Sequence, residues 1–484
     1  MAIIYCHQLA NAQKNDSAVI EGHFETAQID TIYLKYYQEK FGSVENGAVY
    51  QTRMIKGDRF RFVIHDIMQP GYFTLLSTSL KPDRSPRVPL INYLVEAGDH
   101  IQITIKKNTD LVFSGKGFEK YSCHYQTDTV SLYDKTVPGI MVTDSAIRAD
   151  VNNHLNPLAK DSGLYVQLKI LNGYKQQLKP LIYDVMKCDL ICNMKTDKYT
   201  WYSLNWPYVF ELPDSVSRRK KMVAFFEKHF NVDIDVPDSA KMISCYYPDF
   251  ILIRTAMGSN IESYQVSITD AGYNYKKYKN FNEPLRDRLI VSYLMLMSQL
   301  DGMENYETCL MDALVSVKND QYHALLTTLQ QQTQKGADAF PFELMDENRR
   351  MVKLGDFKNK IILIDCWFTG CSACERCAGK LKEVIAHFRS RKDIAFVSVS
   401  VDRNLTSWKK SLQEGLYTSK EEVNLFTNGE GIDHPFIHYY NICGFPSLLL
   451  IDKKGKIFSF APPRPDGVDG VKQMIDLIEK ALAE

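Results

Sequence analysis

Cys366, Cys371, Cys374 and Cys377 crowd one short stretch of this chain, and two of them are spaced for redox chemistry. In Cys371-Ser372-Ala373-Cys374 two residues separate the thiols. The apolar run Ile361-Ile-Leu-Ile364 lies just before them and an amphipathic pattern follows, so the pair falls where a strand gives way to a helix. A helix N-terminus presents unpaired N–H groups and a partial positive charge, which stabilise a thiolate and lower its pKa. Cys371 comes first and is expected to be exposed, which makes it the candidate nucleophile. Cys374 falls on the buried stripe one turn later, close enough to close a disulfide and eject a bound partner. The chemistry this pattern favours is thiol–disulfide exchange.

Asp365 precedes Cys371 by six residues, at the end of the apolar run. A carboxylate there sits beneath the cysteines in low dielectric, where desolvation raises its pKa. It is the candidate group for moving a proton to or from Cys374 through water. Gly444-Phe445-Pro446-Ser447 leads into another apolar run, Leu448-Leu-Leu-Ile-Asp452. Beside a CxxC pair, this Pro446 reads as a cis-Pro loop whose backbone faces the disulfide and pairs with an extended substrate segment.

Cys371-x2-Cys374-x2-Cys377 also has iron–sulfur spacing, so a metal-binding protein holding a cluster, zinc or copper is the alternative chemistry. Cys377 has a plainer explanation as the next residue of the buried stripe, and no fourth ligand follows at suitable spacing. For copper the convenient histidines are His434 and His438. A thiol peroxidase is excluded locally, because Phe368 stands where its Pro-x3-Thr-x2-Cys context needs the threonine. A third reading makes the chain an adaptor whose first two domains bind a partner.

The elements that would position these groups follow from periodicity. After Cys371, the residues Cys374, Cys377, Ala378, Leu381, Val384, Ile385 and Phe388 fall on one helical stripe, with Glu375, Arg376, Lys380, Lys382 and Glu383 opposite. A strand is predicted over Ile394–Val401, another over Ser447–Asp452, and a helix around Val471 to Leu482. Upstream, residues 17–117 carry the two-residue period of half-buried strands, as in Arg59-Phe-Arg-Phe-Val-Ile64 and His100-Ile-Gln-Ile-Thr-Ile105. Residues 118–335 turn helical. Leu285–Leu300 is a strongly apolar helix with Asn282 as its cap and Pro284 in the first turn, and Thr308–Gln332 forms one or two more, ending near Gly336. Trp201 and Trp206 could form a partner platform, although such aromatics are more often core.

The 484 residues are enough for about three domains. A 45% hydrophobic fraction supports real cores and rules out wholesale disorder. With 58 Lys+Arg against 58 Asp+Glu there is no global field to hold nucleic acid or acidic lipid. No apolar run of about 18 residues exists to span a membrane. The 11 cysteines cannot all pair within one chain, and their irregular spacing excludes a small disulfide scaffold. Residues 1–16 read as a leader remnant or a tail. Ala10-Asn11-Ala12 resembles a signal-peptidase site but lacks the cationic start and apolar stretch of a full signal.

Several motifs in order resemble the thioredoxin superfamily, and most closely the TlpA-type thiol–disulfide oxidoreductases of the bacterial cell envelope. They are Phe342-Glu-Leu-Met-Asp346, Val352-Lys-Leu-Gly-Asp356, Asn359-Lys360, Asp365-Cys-Trp367 leading to the CxxC, Ser400-Val-Asp402 and Tyr440-Asn-Ile-Cys-Gly-Phe-Pro446. The chain departs from the family at Ala373, where envelope members usually have Pro, at Cys377, where many have an acid, and at Gly370, where Trp is common. The resemblance implies an α+β multidomain protein. A three-layer α/β/α thioredoxin fold at residues 336–484 would follow an all-β domain at 17–117 and a mainly helical domain at 118–335. It further implies protein disulfides or dithiols as substrates, a separate electron donor or acceptor, and a periplasmic or envelope location. Catalysis would fall to Cys371, Cys374 and Asp365, and substrate contact to Pro446, Phe445 and Trp367. No cofactor is required, because the dithiol itself carries the electrons.

Overall fold

The structure is a computed structural model. It describes residues 16–25, 29–41, 44–46, 49–54, 58–79, 90–107, 110–133, 162–205, 215–229, 231–263, 270–300, 303–442 and 444–484. The leader or tail at the N-terminus, Trp206 and Cys443 therefore lie outside the described residues, as does the side chain of Trp201. The chain divides into two compact units, Met1–Lys40 with Glu45–Arg254, and Phe41–Val44 with Thr255–Glu484.

The chain opens with strands β1 (Ala18–Phe24), β2 (Ile29–Tyr37), β3 (Glu39–Phe41), β4 (Val44–Asn46), β5 (Val49–Met54), β6 (Arg59–Ile64), β7 (Gly71–Ser79), β8 (Leu90–Val95), β9 (His100–Ile105) and β10 (Leu111–Lys116). They form two four-stranded sheets, ordered β10-β9-β1-β6 and β5-β2-β7-β8, with β3 and β4 pairing as a short ribbon. The expected alternation is present: Phe60, Phe62 and Ile64 of β6 and Ile101, Ile103 and Ile105 of β9 enter the core, while Arg59, Arg61, His100 and Gln102 stay outside. Each fully buried side chain of this size contributes about 1.5–3 kcal/mol, so the alternation fixes which face of each strand turns inward. Helices α1 (Phe118–Tyr133), α2 (Ser162–Gly173), α3 (Pro180–Asn205), α4 (Ser215–His229) and α5 (Asp238–Ile243) follow. Lys120 of α1 is buried on Asp99 at 2.6 Å, and Tyr121 donates its hydroxyl to the same carboxylate at 2.8 Å.

Helix α6 (Tyr247–Ser263) leads into the second unit, where α7 (Ala271–Tyr278), α8 (Leu285–Met297), α9 (Tyr306–Ser316) and α10 (Asp320–Thr333) come first. Pro284 directly precedes α8, and Asn282 supports the helix through its backbone carbonyl, which accepts the Arg286 N–H at 2.9 Å, rather than through a side-chain cap. Side-chain caps form instead at Asp270, which accepts the Gly272 N–H at the start of α7, and at Asn319, which accepts the Tyr322 N–H and separates α9 from α10.

The remainder is a layered α/β domain with strands β11 (Glu343–Asp346), β12 (Met351–Lys353), β13 (Ile361–Trp367), β14 (Ile394–Ser400), β15 (Val423–Phe426), β16 (Ser447–Ile451) and β17 (Ile457–Ser459). They form one seven-stranded sheet in the order β12-β11-β15-β14-β13-β16-β17. Strand β13 is internal, parallel to β14 and antiparallel to β16, and every one of its residues is buried. Helices α11 (Ser372–His387) and α14 (Gly470–Ala483) cover one face with Leu381, Val384, Met474 and Ile478, while α13 (Pro435–Tyr439) supplies Phe436 and Ile437 to the other. Helix α12 (Leu405–Glu414) crosses between β14 and β15, capped by Asn404 and ended by Gly415 in the left-handed conformation. This is the thioredoxin fold. The segment entering it is pinned to the sheet. Gly336 donates to Ile457 O at 2.7 Å, Ile457 donates to Ala337 O at 2.8 Å, and Ala339 donates to Gly455 O at 3.0 Å. No helix among the described residues is long and apolar enough to cross a membrane.

Candidate active site

Successive residues of β13 point to opposite faces of the sheet. Ile362, Ile364 and Cys366 pack into one core, while Ile361 and Leu363 pack beneath α11 and α14. Asp365 therefore shares the α11 face with Leu363 and Trp367. It is 1% exposed, and neither carboxyl oxygen has a hydrogen-bond partner among the described residues. Burial pushes its carboxyl well above the usual range, the Glu422 carboxylate pushes further in the same direction, and Arg464 opposes them.

The turn after β13 delivers Cys371 as the N-cap of α11. Its Sγ accepts the Cys374 N–H at 3.1 Å and is bonded to Cys374 Sγ at 2.04 Å, with the Cα atoms 5.2 Å apart. The sulfur thus lies among the free N–H groups of the helix, the placement that favours a thiolate when the pair is reduced. Cys371 keeps 7% of its surface and Cys374 none. Cys377 is buried one turn further along the stripe, packed with Leu381 and Val384. Among the described residues no three His, Cys, Asp or Glu side chains converge as a metal ion would require. His434 instead caps α13, its Nδ1 accepting the Phe436 N–H at 3.2 Å, and His438 faces outward.

The loop before β16 approaches the disulfide from the other side. The Phe445–Pro446 peptide is cis, and Phe445 O lies 3.8 Å from Cys371 Sγ. Phe445 meets Phe368 edge to face, with ring centroids 5.6 Å apart, and Phe368 is 39% exposed. Trp367, expected at the substrate, is fully buried beneath the pair. Its indole N–H donates to Ser398 Oγ at 2.6 Å and its ring stacks on Tyr417 at 5.0 Å. The aromatic that reaches solvent at this point is its neighbour, Phe368.

Several groups brace the site in roles that the sequence reading did not assign to them. Thr369 donates its N–H to Asp402 Oδ1 at 2.9 Å and its hydroxyl to Asp402 Oδ2 at 2.6 Å. Gly370 donates to the Tyr417 hydroxyl at 3.0 Å. It has a φ of +95°, which only glycine adopts freely, and open space where a Cβ would stand. Trp408 of α12 stacks on Phe426 of β15, 4.8 Å between centroids, closing a small aromatic cluster around Trp367, Cys371 and Cys374. The signals for α12 were legible as Asn404 and Gly415, a helix start and stop. Pairing Asp402 with Thr369 requires the β13–β14 register, which no local pattern states.

Residues 359–457 match the family model described as thioredoxin-like. The thiol-disulfide oxidoreductase ResA of Bacillus thuringiensis subsp. konkukian is 25% identical over 130 residues, which cover 27% of this chain and 70% of that protein. The protein of the same name from Bacillus subtilis is 25% identical over 131 residues, covering 25% of this chain and 64% of that one. A solution structure described as a thiol-disulfide oxidoreductase from Bacteroides vulgatus is 32% identical, covering 29% of this chain and 87% of that one, with a TM-score of 0.25. The thioredoxin domain of another thiol-disulfide oxidoreductase from Bacteroides vulgatus is 29% identical, covers 30% and 96% of the two chains, and has a TM-score of 0.26.

Proposed function

The C-terminal domain of the chain belongs to the thioredoxin-like family, among the thiol–disulfide oxidoreductases, and from that premise we propose that the protein exchanges electrons with the disulfides of other proteins through Cys371 and Cys374. The observation that carries this reading is the closed Cys371–Cys374 disulfide at the start of α11, with Phe445 O 3.8 Å from the Cys371 sulfur. In the reducing direction, the Cys371 thiolate attacks one sulfur of the substrate disulfide. A mixed disulfide forms and the other substrate sulfur leaves as a thiolate that takes up a proton. Cys374 then gives its proton to the site and attacks the Cys371 sulfur, which releases the substrate as a dithiol and restores the protein disulfide. Asp365 is the proposed partner for that proton, by way of water. The oxidising direction is the same sequence reversed.

Phe445 and Pro446 are the proposed backbone and side-chain contacts for an extended substrate, and buried Trp367 supports the floor beneath them. An envelope or periplasmic setting belongs to the proposal, since disulfides persist there. The test is to trap mixed disulfides with the full chain carrying Cys374→Ser. Adducts that dissolve in reductant and vanish when Cys371→Ser is added support the reading. Absence of adducts, together with no turnover of a disulfide substrate by the unaltered chain, overturns it.

A further inference from the structure

Asp365 heads a row of polar side chains that the strand register lays across one face of the sheet. It stands opposite Ser398 of β14, and Ser398 stands opposite Asn424 of β15. Glu422 lies in the turn directly before β15, two residues ahead of Asn424, and is buried. Neighbouring strands are about 4.8 Å apart, so Asn424 is about 10 Å from Asp365 and Glu422 about 12 Å. Leu363, Phe396, Leu448 and Leu450 of this face are packed beneath α11 and α14.

The hydrogen bonds around Glu422 suit both of its protonation states. Thr418 Oγ1 lies 3.0 Å from Glu422 Oε2 and 2.6 Å from Asn424 Oδ1. Asn424 is oriented by its own amide, which donates to Ser419 O at 3.1 Å and Glu422 O at 3.3 Å. A hydroxyl has one hydrogen. Thr418 can therefore donate to the Glu422 carboxylate when that group is ionised, or accept from the protonated acid and donate to Asn424. Burial raises the Glu422 carboxyl, whereas the Thr418 hydroxyl, the Ser419 N–H 2.7 Å from the same oxygen and Lys382 of α11 favour the ionised form. Glu422 is thus built to hold or lose a proton in place.

We propose that Glu422 is a positioning residue for disulfide exchange, a second buried carboxyl that acts with Asp365 as a coupled pair and sets when Asp365 can exchange a proton with Cys374. This rests on the proposed function above. The pair titrates in two linked steps, as interacting sites do. The other charged groups facing Asp365 are Arg464 and Asp466, from the segment between β17 and α14. They bind each other at 2.8 Å, so their fields largely cancel at Asp365. Burial and the Asp365–Glu422 interaction then dominate, and both raise the Asp365 carboxyl.

The experiment is the pH profile, from pH 5 to 10, of the rate at which the reduced full chain reduces a small aromatic disulfide. The unaltered chain should show two ionisations besides that of the nucleophilic thiol. Glu422→Gln keeps an acceptor for Thr418 and Ser419 but carries no charge. It should leave one step, shifted about one pH unit lower than the upper step of the pair, the size expected of a like charge at this distance with an effective dielectric of about 20. Glu422→Asp should restore the second step, and in an Asp365→Asn background Glu422→Gln should move nothing. Thr418→Val, which retains the acid but removes the hydroxyl favouring its ionised form, should carry the Glu422 step to higher pH, and it decides the matter if Glu422→Gln does not fold. Profiles of Glu422→Gln or Thr418→Val that superimpose on that of the unaltered chain overturn the inference. An unaltered chain that reduces nothing at any pH overturns the function reading instead.

Discussion

Replacing Asp365 by Asn should make the C-terminal domain more stable and its chemistry slower, with both effects traceable to one proton. In the unfolded chain an aspartate titrates near pH 3.9. In the folded domain, burial and Glu422 hold this carboxyl protonated well above that range. Between those two limits the folded state binds the proton that the unfolded state has lost, so stability falls as pH rises. The slope for one such group is about 1.4 kcal/mol per pH unit, starting at the unfolded value and ending at the folded one. Asparagine matches the shape of the protonated acid and has no such slope. Its advantage should therefore be negligible near pH 4 and grow between pH 5 and pH 7 by at most about 2.7 kcal/mol. The assay can use a reporter already on the strand. Cys366 is buried on the reverse face of β13, and a brief pulse of a thiosulfonate reagent labels it only where the sheet has opened. Urea titrations at pH 5, 6, 7 and 8, read by mass spectrometry of the Cys366 peptide, give the stability of this sheet directly. Parallel pH dependences for the two proteins would refute the reasoning, because they would mean that Asp365 ionises equally in the folded and unfolded chains. The same variant should reduce disulfides more slowly across neutral pH, and an unchanged rate would remove its proton role.

Tyr417→Phe keeps the stack on Trp367 but removes the acceptor for the Gly370 N–H, so it should cost about 1 kcal/mol and slow exchange severalfold; an unaltered rate would show that Asp402 alone holds the loop. Trp408→Ala empties a fully buried ring site against Phe426 and should destabilise the C-terminal domain by about 3–5 kcal/mol, visible as a lower urea midpoint for Cys366 labelling. After reduction, a small alkylating agent below neutral pH should modify Cys371 first and leave Cys377 nearly untouched, and equal modification of Cys377 would contradict its place in the core. A fragment from Gly336 to Glu484 should fold and reduce a generic disulfide, because all three core clusters of the domain draw only on residues within it; loss of a cooperative unfolding transition would show otherwise.

What the sequence disclosed and what it concealed differ in kind. The Ile361 run, the stripe from Cys374 to Phe388 and the alternation in β6 and β9 are local periodicities, and the structure has each as a strand or helix at nearly the expected residues. Asp365 was legible for the same reason, as a charge placed directly after four apolar residues. Trp367 was harder to place. An aromatic beside a CxxC can face substrate or core, and only the Ser398 bond and the Tyr417 stack show that it faces inward. Asp402, Tyr417, Ser398 and Glu422 reach the site through register or through the path of α12 and the loop after it. Their roles depend on pairings between residues 31 to 57 positions apart, and no local pattern encodes such a pairing. The divisions at 117/118 and 335/336 follow the change of periodicity and stand as proposals about which segments fold alone, distinct from the two compact units of the folded chain.

The pinned segment from Gly336 to Ala339 bears on how the sheet edge is kept from pairing with other chains. A three-residue strand such as β17, left at the end of a sheet, would offer unpaired N–H and C=O groups to any extended chain nearby. Here the entering segment uses those groups itself, and Lys456 adds an ion pair to Asp338 at 2.7 Å alongside them. At the opposite border β12 is also only three residues long and turns at once into a short helical segment. An open sheet edge is a template for any extended chain, and a partly unfolded protein with reducible cysteines would bring one. Blunting both borders leaves the loop beside Cys371, the proposed substrate contact, as the place where an extended chain is expected to pair.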